Sequence, residues 1–243
     1  MKKQLNALKA AFPLTIPVML GYLFVGIAFG VLLQQKGYGP PWAALMSVCV
    51  YAGSMQFVAI QFFAPGVSLI TVAFVTFVVN FRHIFYGLSF LKKFDQAGAR
   101  KPYLIFALTD ETYSLLCGTK IPAGVDEGWF FFFISLLNQL YWIIGSLLGT
   151  AMGALIPFNT TGIDFAMTAL FVVIAVEQWK SSTTHIPALL GAAVAVACLL
   201  IFGPANFVLP AAVLIAAALV GARKPIEPRL GAGTTVSEES GNA

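Results

Sequence analysis

The chain has 243 residues, of which 59% are hydrophobic and only 10% charged, with a net charge of +4 and a mean hydropathy of +0.87. Globular domains carry about 25% charged residues, so this composition excludes a protein that covers its own surface in water and defines an integral membrane protein. The positive charges stand in short Lys/Arg clusters beside apolar runs, which reads as membrane topology rather than a nucleic-acid footprint.

A bilayer core takes about 20 apolar residues per helix. By that measure, spans are expected at 12–33, 41–64, 66–90, 102–118, 128–156, 163–179, 185–203 and 206–222. The first follows "MKKQLNALKA" and is too long for a signal-peptide core, so it is a retained segment. The tail from Arg223 is polar and rich in Gly, Ser and Pro, and is expected to be disordered. The reading is therefore all-α: a polytopic membrane helix bundle of seven or eight hydrophobic segments, one transmembrane domain over 1–222 with a tail over 223–243.

Eight simple crossings with the N-terminus inside would put Lys92, Lys93, Arg100 and Lys101 outside, against the positive-inside tendency. The loop turns cytoplasmic if one segment before it and one after it are re-entrant or broken. Pro13, Pro17, "YAG" at 51–53 and "GPANFVLP" at 203–210 are the expected break points, because Pro removes a backbone donor and Gly permits sharp turns. Broken backbone at membrane depth needs protein or a watery cavity to satisfy it. An internal repeat is not established: "FVVNFRH" and "FVVIAVEQ" share only their opening.

Ionisable groups inside a membrane are expensive and mark function. In "NFRHIFYG" (80–87), helical spacing puts Asn80, His83 and Gly87 on one stripe and Arg82 and Tyr86 on an adjoining one. Either these groups form a site, or Arg82 snorkels to the interface with His83 at the rim. In "ALTDETY" (107–113), Asp110 and Glu111 point about 100° apart on a regular helix, so they meet one partner only if the helix is broken there. One carboxylate would pair with Arg82 and the other face a cavity, or the stretch is an interfacial turn. Burial would raise a carboxyl pKa and a cationic neighbour lower it, a competition that a proton-coupled carrier needs. Thr109 and Tyr113 flank the pair. In "YAGSMQF" (51–57), an unwound turn at Tyr51 would expose backbone N–H groups to a substrate carboxylate beside Ser54 and Gln56. Equally, Ala52, Gly53 and Gln56 make a packing stripe.

Other features read as structural. Gly145, Gly149 and Gly153 form a GxxxGxxxG ridge for close helix contact, with Asn138 and Gln139 bonding across helices. Glu177 and Trp179 look like an interfacial anchor, and His185 like a rim residue. Cys49, Cys117 and Cys198 lie far apart in apolar segments, with no metal-ligand spacing, and are expected to be buried and inert. No metal or cofactor is expected.

The joint order of "GIAFG", "YAGSMQF", "NFRHIFYG" and "ALTDETY" resembles the AzlC/YgaZ family, the large subunits of branched-chain amino acid exporters, over about residues 10–220. The resemblance implies export of valine, leucine and isoleucine, sometimes methionine, across the bacterial inner membrane. It also implies proton energisation and a small membrane partner of the AzlD/YgaH type.

No GxxxxGK[ST] element is present, so the expected activity is that of a secondary carrier and not an enzyme. Asp110 or Glu111 would carry the proton or meet the ammonium group. Arg82 would serve as counter-ion or hold the substrate carboxylate, with His83 and Tyr86 relaying or positioning. Phe57 and Phe77 would line the side-chain pocket. An intramembrane hydrolase built on Ser54 with His83, or on Asp110 with Asp164, is the alternative, although "GSM" is not a nucleophile elbow. A channel or scaffold subunit is a third reading, without the repeated ring motif a channel shows.

Overall fold

The computed structural model describes residues 2–63, 66–155, 185–203 and 207–221, together with 172, 175, 176, 179 and 180. Asp164, Glu177, most of the span expected at 163–179, and the tail over 223–243 lie outside the described residues. Every regular element described is helical, as the composition requires of a chain whose backbone must satisfy itself in lipid. Among the described residues three helices are long and apolar enough to cross a membrane: α1 (Lys2–Gln35), α4 (Leu69–Phe90) and α7 (Glu127–Leu155). The chain groups into two compact units, Met1–Thr168 and Ala169–Ala243.

The first unit is organised on the pair α1 and α7. Small residues let the two backbones touch: a Cβ on Gly30 would overlap the Ser146 carbonyl, and one on Gly149 the Ile27 carbonyl. The ridge read from the sequence is thus a helix contact, and Gly26 and Gly30 supply its other half. α1 also corrects an expectation, because the helix runs through Pro13 and Pro17 unbroken. Each Pro removes one backbone bond, but packing against α7 holds the helix. Near the gap the Thr15 hydroxyl bonds the Phe12 carbonyl at 2.8 Å and the Tyr141 hydroxyl at 3.1 Å.

The span expected at 41–64 is broken at "YAG" into α2 (Pro40–Cys49) and α3 (Gly53–Phe62). Tyr51, between them, has φ +40, the left-handed region that non-Gly residues rarely enter. Ten residues of helix rise about 15 Å, half the hydrocarbon core. The two halves fold back on each other. Tyr38, ahead of α2, stacks on Phe63 at the end of α3 with ring centroids 4.2 Å apart, and Gln56 reaches Ser47 at 3.4 Å. They form a re-entrant hairpin whose mouth lies where α1 ends.

α4 follows, capped by Ser68, whose hydroxyl accepts from the Ile70 N–H at 3.3 Å. One face presents Phe77, Phe81 and Phe85, stacked edge to face and exposed, as lipid-facing side chains would be. Its last residue, Phe90, joins a core with Ala7 and Ala11 of α1 and Phe130 and Phe131 of α7. α4 therefore returns to the end of the bundle where α1 begins.

The span expected at 102–118 is broken too, into α5 (Lys101–Phe106) and α6 (Asp110–Gly118). Leu104 of α5 and Leu116 of α6 belong to the same core as Ala7 and Phe90, so this second hairpin has its mouth at the opposite end from the first. The loop before it carries a 3-10 turn, Asp95–Arg100, that lies against the start of α7, with the Arg100 guanidinium 4.0 Å from the Trp129 ring. The basic loop and the basic start of α1 therefore share one end of the bundle. The charge conflict in the sequence resolves as one hairpin before the loop and one after it.

α7 clamps all four half-helices with a polar stripe. Asn138 bonds Thr112 of α6 at 3.0 Å, and Gln139 accepts from Tyr103 of α5 at 2.8 Å. Trp142 donates to Gln56 of α3 at 2.8 Å, and Ser146 accepts from Ser47 of α2 at 3.0 Å. The Phe130–Phe133 run packs in part: Phe130 and Phe131 are buried. The thiols differ from expectation, since only Cys198 is buried, while Cys49 and Cys117 are exposed on short half-helices that leave one side uncovered.

In the second unit, α8 (Ile186–Phe202) packs on α9 (Val208–Gly221). The sequence break between them is present, with Gly203 at φ +72. His185, just before α8, stacks on Trp179 with centroids 3.9 Å apart.

Candidate functional site

The tips of the two hairpins come together. The Tyr51 ring of the first lies 6.2 Å from the Phe106 ring of the second, and α4 runs beside both. The stripes expected on α4 divide as helical spacing requires. Arg82 and Tyr86 face the second tip, whereas Asn80, His83 and Gly87 line a cleft.

Arg82 ties the tips to each other. Its guanidinium lies 2.7 Å from Asp110 Oδ2 and donates to Ser54 Oγ at 3.0 Å. Tyr86 donates to Asp110 Oδ1 at 2.7 Å and stacks on Tyr113 at 4.3 Å. Asp110 thus has both oxygens engaged, and it opens α6, where a helix N-terminus favours negative charge. The guanidinium, with its fork geometry, is suited to hold a carboxylate and a hydroxyl at once.

Glu111 points to a different partner, because the two acids are successive residues in the first turn of α6 and project about 100° apart. It accepts a single side-chain hydrogen bond, from the Tyr22 hydroxyl of α1 at 2.7 Å. Tyr22 also pairs with Thr109 Oγ1 at 2.6 Å. Thr109 caps α6, accepting from the Thr112 N–H at 3.3 Å, and Thr112 in turn accepts from Asn138 at 3.0 Å. A chain of hydrogen bonds therefore links Glu111 to α7. Two oxygens among these buried side chains, Tyr51 Oη and Asn138 Oδ1, have no hydrogen-bond partner.

The cleft, about 450 Å³, joins the first tip at Tyr51 and Ala52, the α4 stripe, and Ile105 and Phe106 of α5. Its two ends differ in chemistry. At one end Asn80 Oδ1 is unpartnered, and His83 holds the Asn80 carbonyl at 3.2 Å. Beyond the lining residue Ala52, the first backbone bond of α3 runs from Gln56 N–H to the Ala52 carbonyl at 2.8 Å, so the N–H groups of Gly53, Ser54 and Met55, behind the cleft wall, have no acceptor within the helix. Ala52 as N-cap offers no side chain to satisfy them. The other end is aliphatic, with Gly87, Leu88, Leu91 and Ile105.

Three expected contributors lie elsewhere. Gln56 is fully buried between Trp142 and Ser47 and takes no part in the Arg82 cluster. Phe57 packs on Phe29 in the core at 5.7 Å, and Phe77 is exposed; neither lines the cleft. The Ser54–His83 dyad of the hydrolase alternative is not formed: Ser54 accepts from Arg82, and His83 bonds Asn80; Asp164, of its other form, lies outside the described residues. Among the described residues no group of His, Cys, Asp and Glu is placed to hold a metal.

Sequence reasoning leaves the break at Ala107–Thr109 as one of two readings of "ALTDETY" and passes over the role of Tyr22. Both left a signal. Thr109 followed by two acids is a helix-start pattern, and a Tyr buried in an apolar helix needs a partner for its hydroxyl.

These features define a helical membrane protein in which two opposed hairpins bring charged groups together beside a cleft. Residues 17–156, which include both hairpins, match the family model described as AzlC protein. The chain belongs to the AzlC family. It is 44% identical to the "Branched-chain amino acid transport protein AzlC" of Bacillus subtilis over 91% of this chain and 87% of that one. An "Uncharacterized membrane protein" of Helicobacter pylori (strain J99) is 48% identical over 92% of this chain and 98% of its own. The "Inner membrane protein YgaZ" of Escherichia coli is 27% identical over 73% and 76%. No solved structure matches the chain.

Proposed function

We propose that the protein is a secondary carrier that exports branched-chain amino acids across the bacterial inner membrane as a multi-pass protein. Its cargo is valine, leucine, isoleucine and, with them, methionine. It works as the large subunit beside a small AzlD/YgaH-type membrane partner, and the proton gradient drives it. The observation that carries this reading is the two-ended cleft: Asn80, with its unpartnered amide oxygen, and the Tyr51–Ala52 turn at one end, aliphatic side chains at the other. A zwitterion with a short apolar tail matches both ends.

The two acids divide the work. Asp110, held by Arg82 and Tyr86, keeps the tips registered. Glu111, with one donor, is the group free to exchange a proton. As the cargo carboxylate approaches the first tip, it competes with Asp110 for Arg82, which loosens one hairpin from the other. Alternating access then follows as movement of one hairpin against its opposite.

The test separates exchange from driven transport. In cells loaded with dipeptide, Glu111→Gln keeps the bond to Tyr22 but cannot carry charge. It is expected to retain leucine–leucine exchange and to lose gradient-driven efflux by about tenfold or more, the effect of roughly 1.4 kcal/mol. Driven efflux at wild-type rate from Glu111→Gln, at equal membrane levels, would overturn the proton assignment.

A further inference from the structure

We propose that Gly87 sets the length of aliphatic side chain that the cleft accepts, an inference that rests on the carrier reading above. Gly87 stands on the cleft stripe of α4, one turn beyond His83, about 6 Å along the axis. A cargo whose polar head sits at Asn80 and the first tip would direct its side chain toward this position. Gly87 is buried in the interior of α4, where glycine is less favourable than alanine.

Packing does not demand a glycine here. A Cβ at position 87 would meet only Ile105 Cγ2, at 3.5 Å, an ordinary contact. The scaffold glycines are different, because a Cβ on Gly30 or Gly149 would strike backbone atoms. The missing side chain at 87 therefore leaves room in the cleft without serving a close helix approach. Ile105 forms the facing wall of that room, and Leu91 lies one further turn along. One methylene in an apolar pocket discriminates by about 10–200-fold.

The experiment measures competition between leucine and valine for exchange in vesicles from cells producing the full chain. Gly87→Ala is expected to lower leucine exchange more than valine exchange, so that the leucine-to-valine preference falls by about tenfold. Ile105→Ala, which widens the same room from the facing side, is expected to shift preference the other way. The double variant Gly87→Ala with Ile105→Ala is expected to recover leucine. An unchanged preference in Ile105→Ala, or in Gly87→Ala at wild-type abundance, overturns the inference while valine exchange by the unaltered protein keeps the carrier reading standing. Absence of any aliphatic amino acid exchange by the unaltered protein overturns both.

Discussion

The Arg82 guanidinium lies 2.7 Å from the Asp110 carboxylate, and through its second bond, to Ser54 at 3.0 Å, it joins two hairpins that reach it from opposite ends of the bundle. The two side chains are 25% and 32% exposed, between a surface pair, worth little, and a fully buried one. Arg82→Ala and Asp110→Asn are each expected to cost about 1–3 kcal/mol of stability. Combined, they should cost less than the sum by about 0.5 kcal/mol or more, because either change alone already frees the tips. Thermal unfolding of the single and double variants in detergent measures this, and strict additivity would show that the contact does not couple the hairpins.

The α1–α7 contact sets a second expectation. Gly30→Ala and Gly149→Ala push a Cβ into backbone carbonyls, which cannot move aside as a flexible side chain does. Each should lower stability by about 1–3 kcal/mol. Gly21 lies on the same helix with nothing within 4 Å of its added Cβ, so Gly21→Ala should be neutral or stabilising. Equal melting of all three variants would contradict the packing described.

Much of this architecture is legible in the sequence, because its strongest signals are energetic. Apolar runs of bilayer length locate α1, α4 and α7, and "YAG" marks a break because Gly and small residues permit one. The stripe spacing of Asn80, His83 and Gly87 against Arg82 and Tyr86 follows from 100° per residue alone. Pro13 and Pro17 do not break α1, for a tertiary reason: the helix is packed on α7 through a glycine contact, and the partner glycines lie more than a hundred residues away. The hairpin pairing of Tyr38 with Phe63, and the reach of Tyr22 to Glu111, are likewise long-range facts that local pattern does not carry. Gln56 looked like a site residue because an amide in an apolar helix is costly; the cost is met by Trp142 and Ser47.

The opposed hairpins predict a labelling pattern. With Cys49, Cys117 and Cys198 replaced, single cysteines at Lys3 and Gln96 should react with an impermeant maleimide from one side of the membrane. Cysteines at Lys36 and Gly66 should both react from the other side, since the first hairpin returns to the end from which it starts. Labelling of positions 36 and 66 from opposite sides would mean that the segment crosses instead of re-entering.

In the proposed carrier, the first hairpin tip forms the head-group end of a cleft for a zwitterion with an aliphatic tail. Ala52→Cys in a background without the other cysteines places a reporter at that tip, and the measurement is its alkylation rate by a small permeant maleimide. Leucine at about ten times its Kd should slow the reaction roughly tenfold, by simple occupancy, and lysine should leave it unchanged. An alkylation rate indifferent to leucine, in protein that still exchanges leucine, would place the cargo elsewhere and contradict the account.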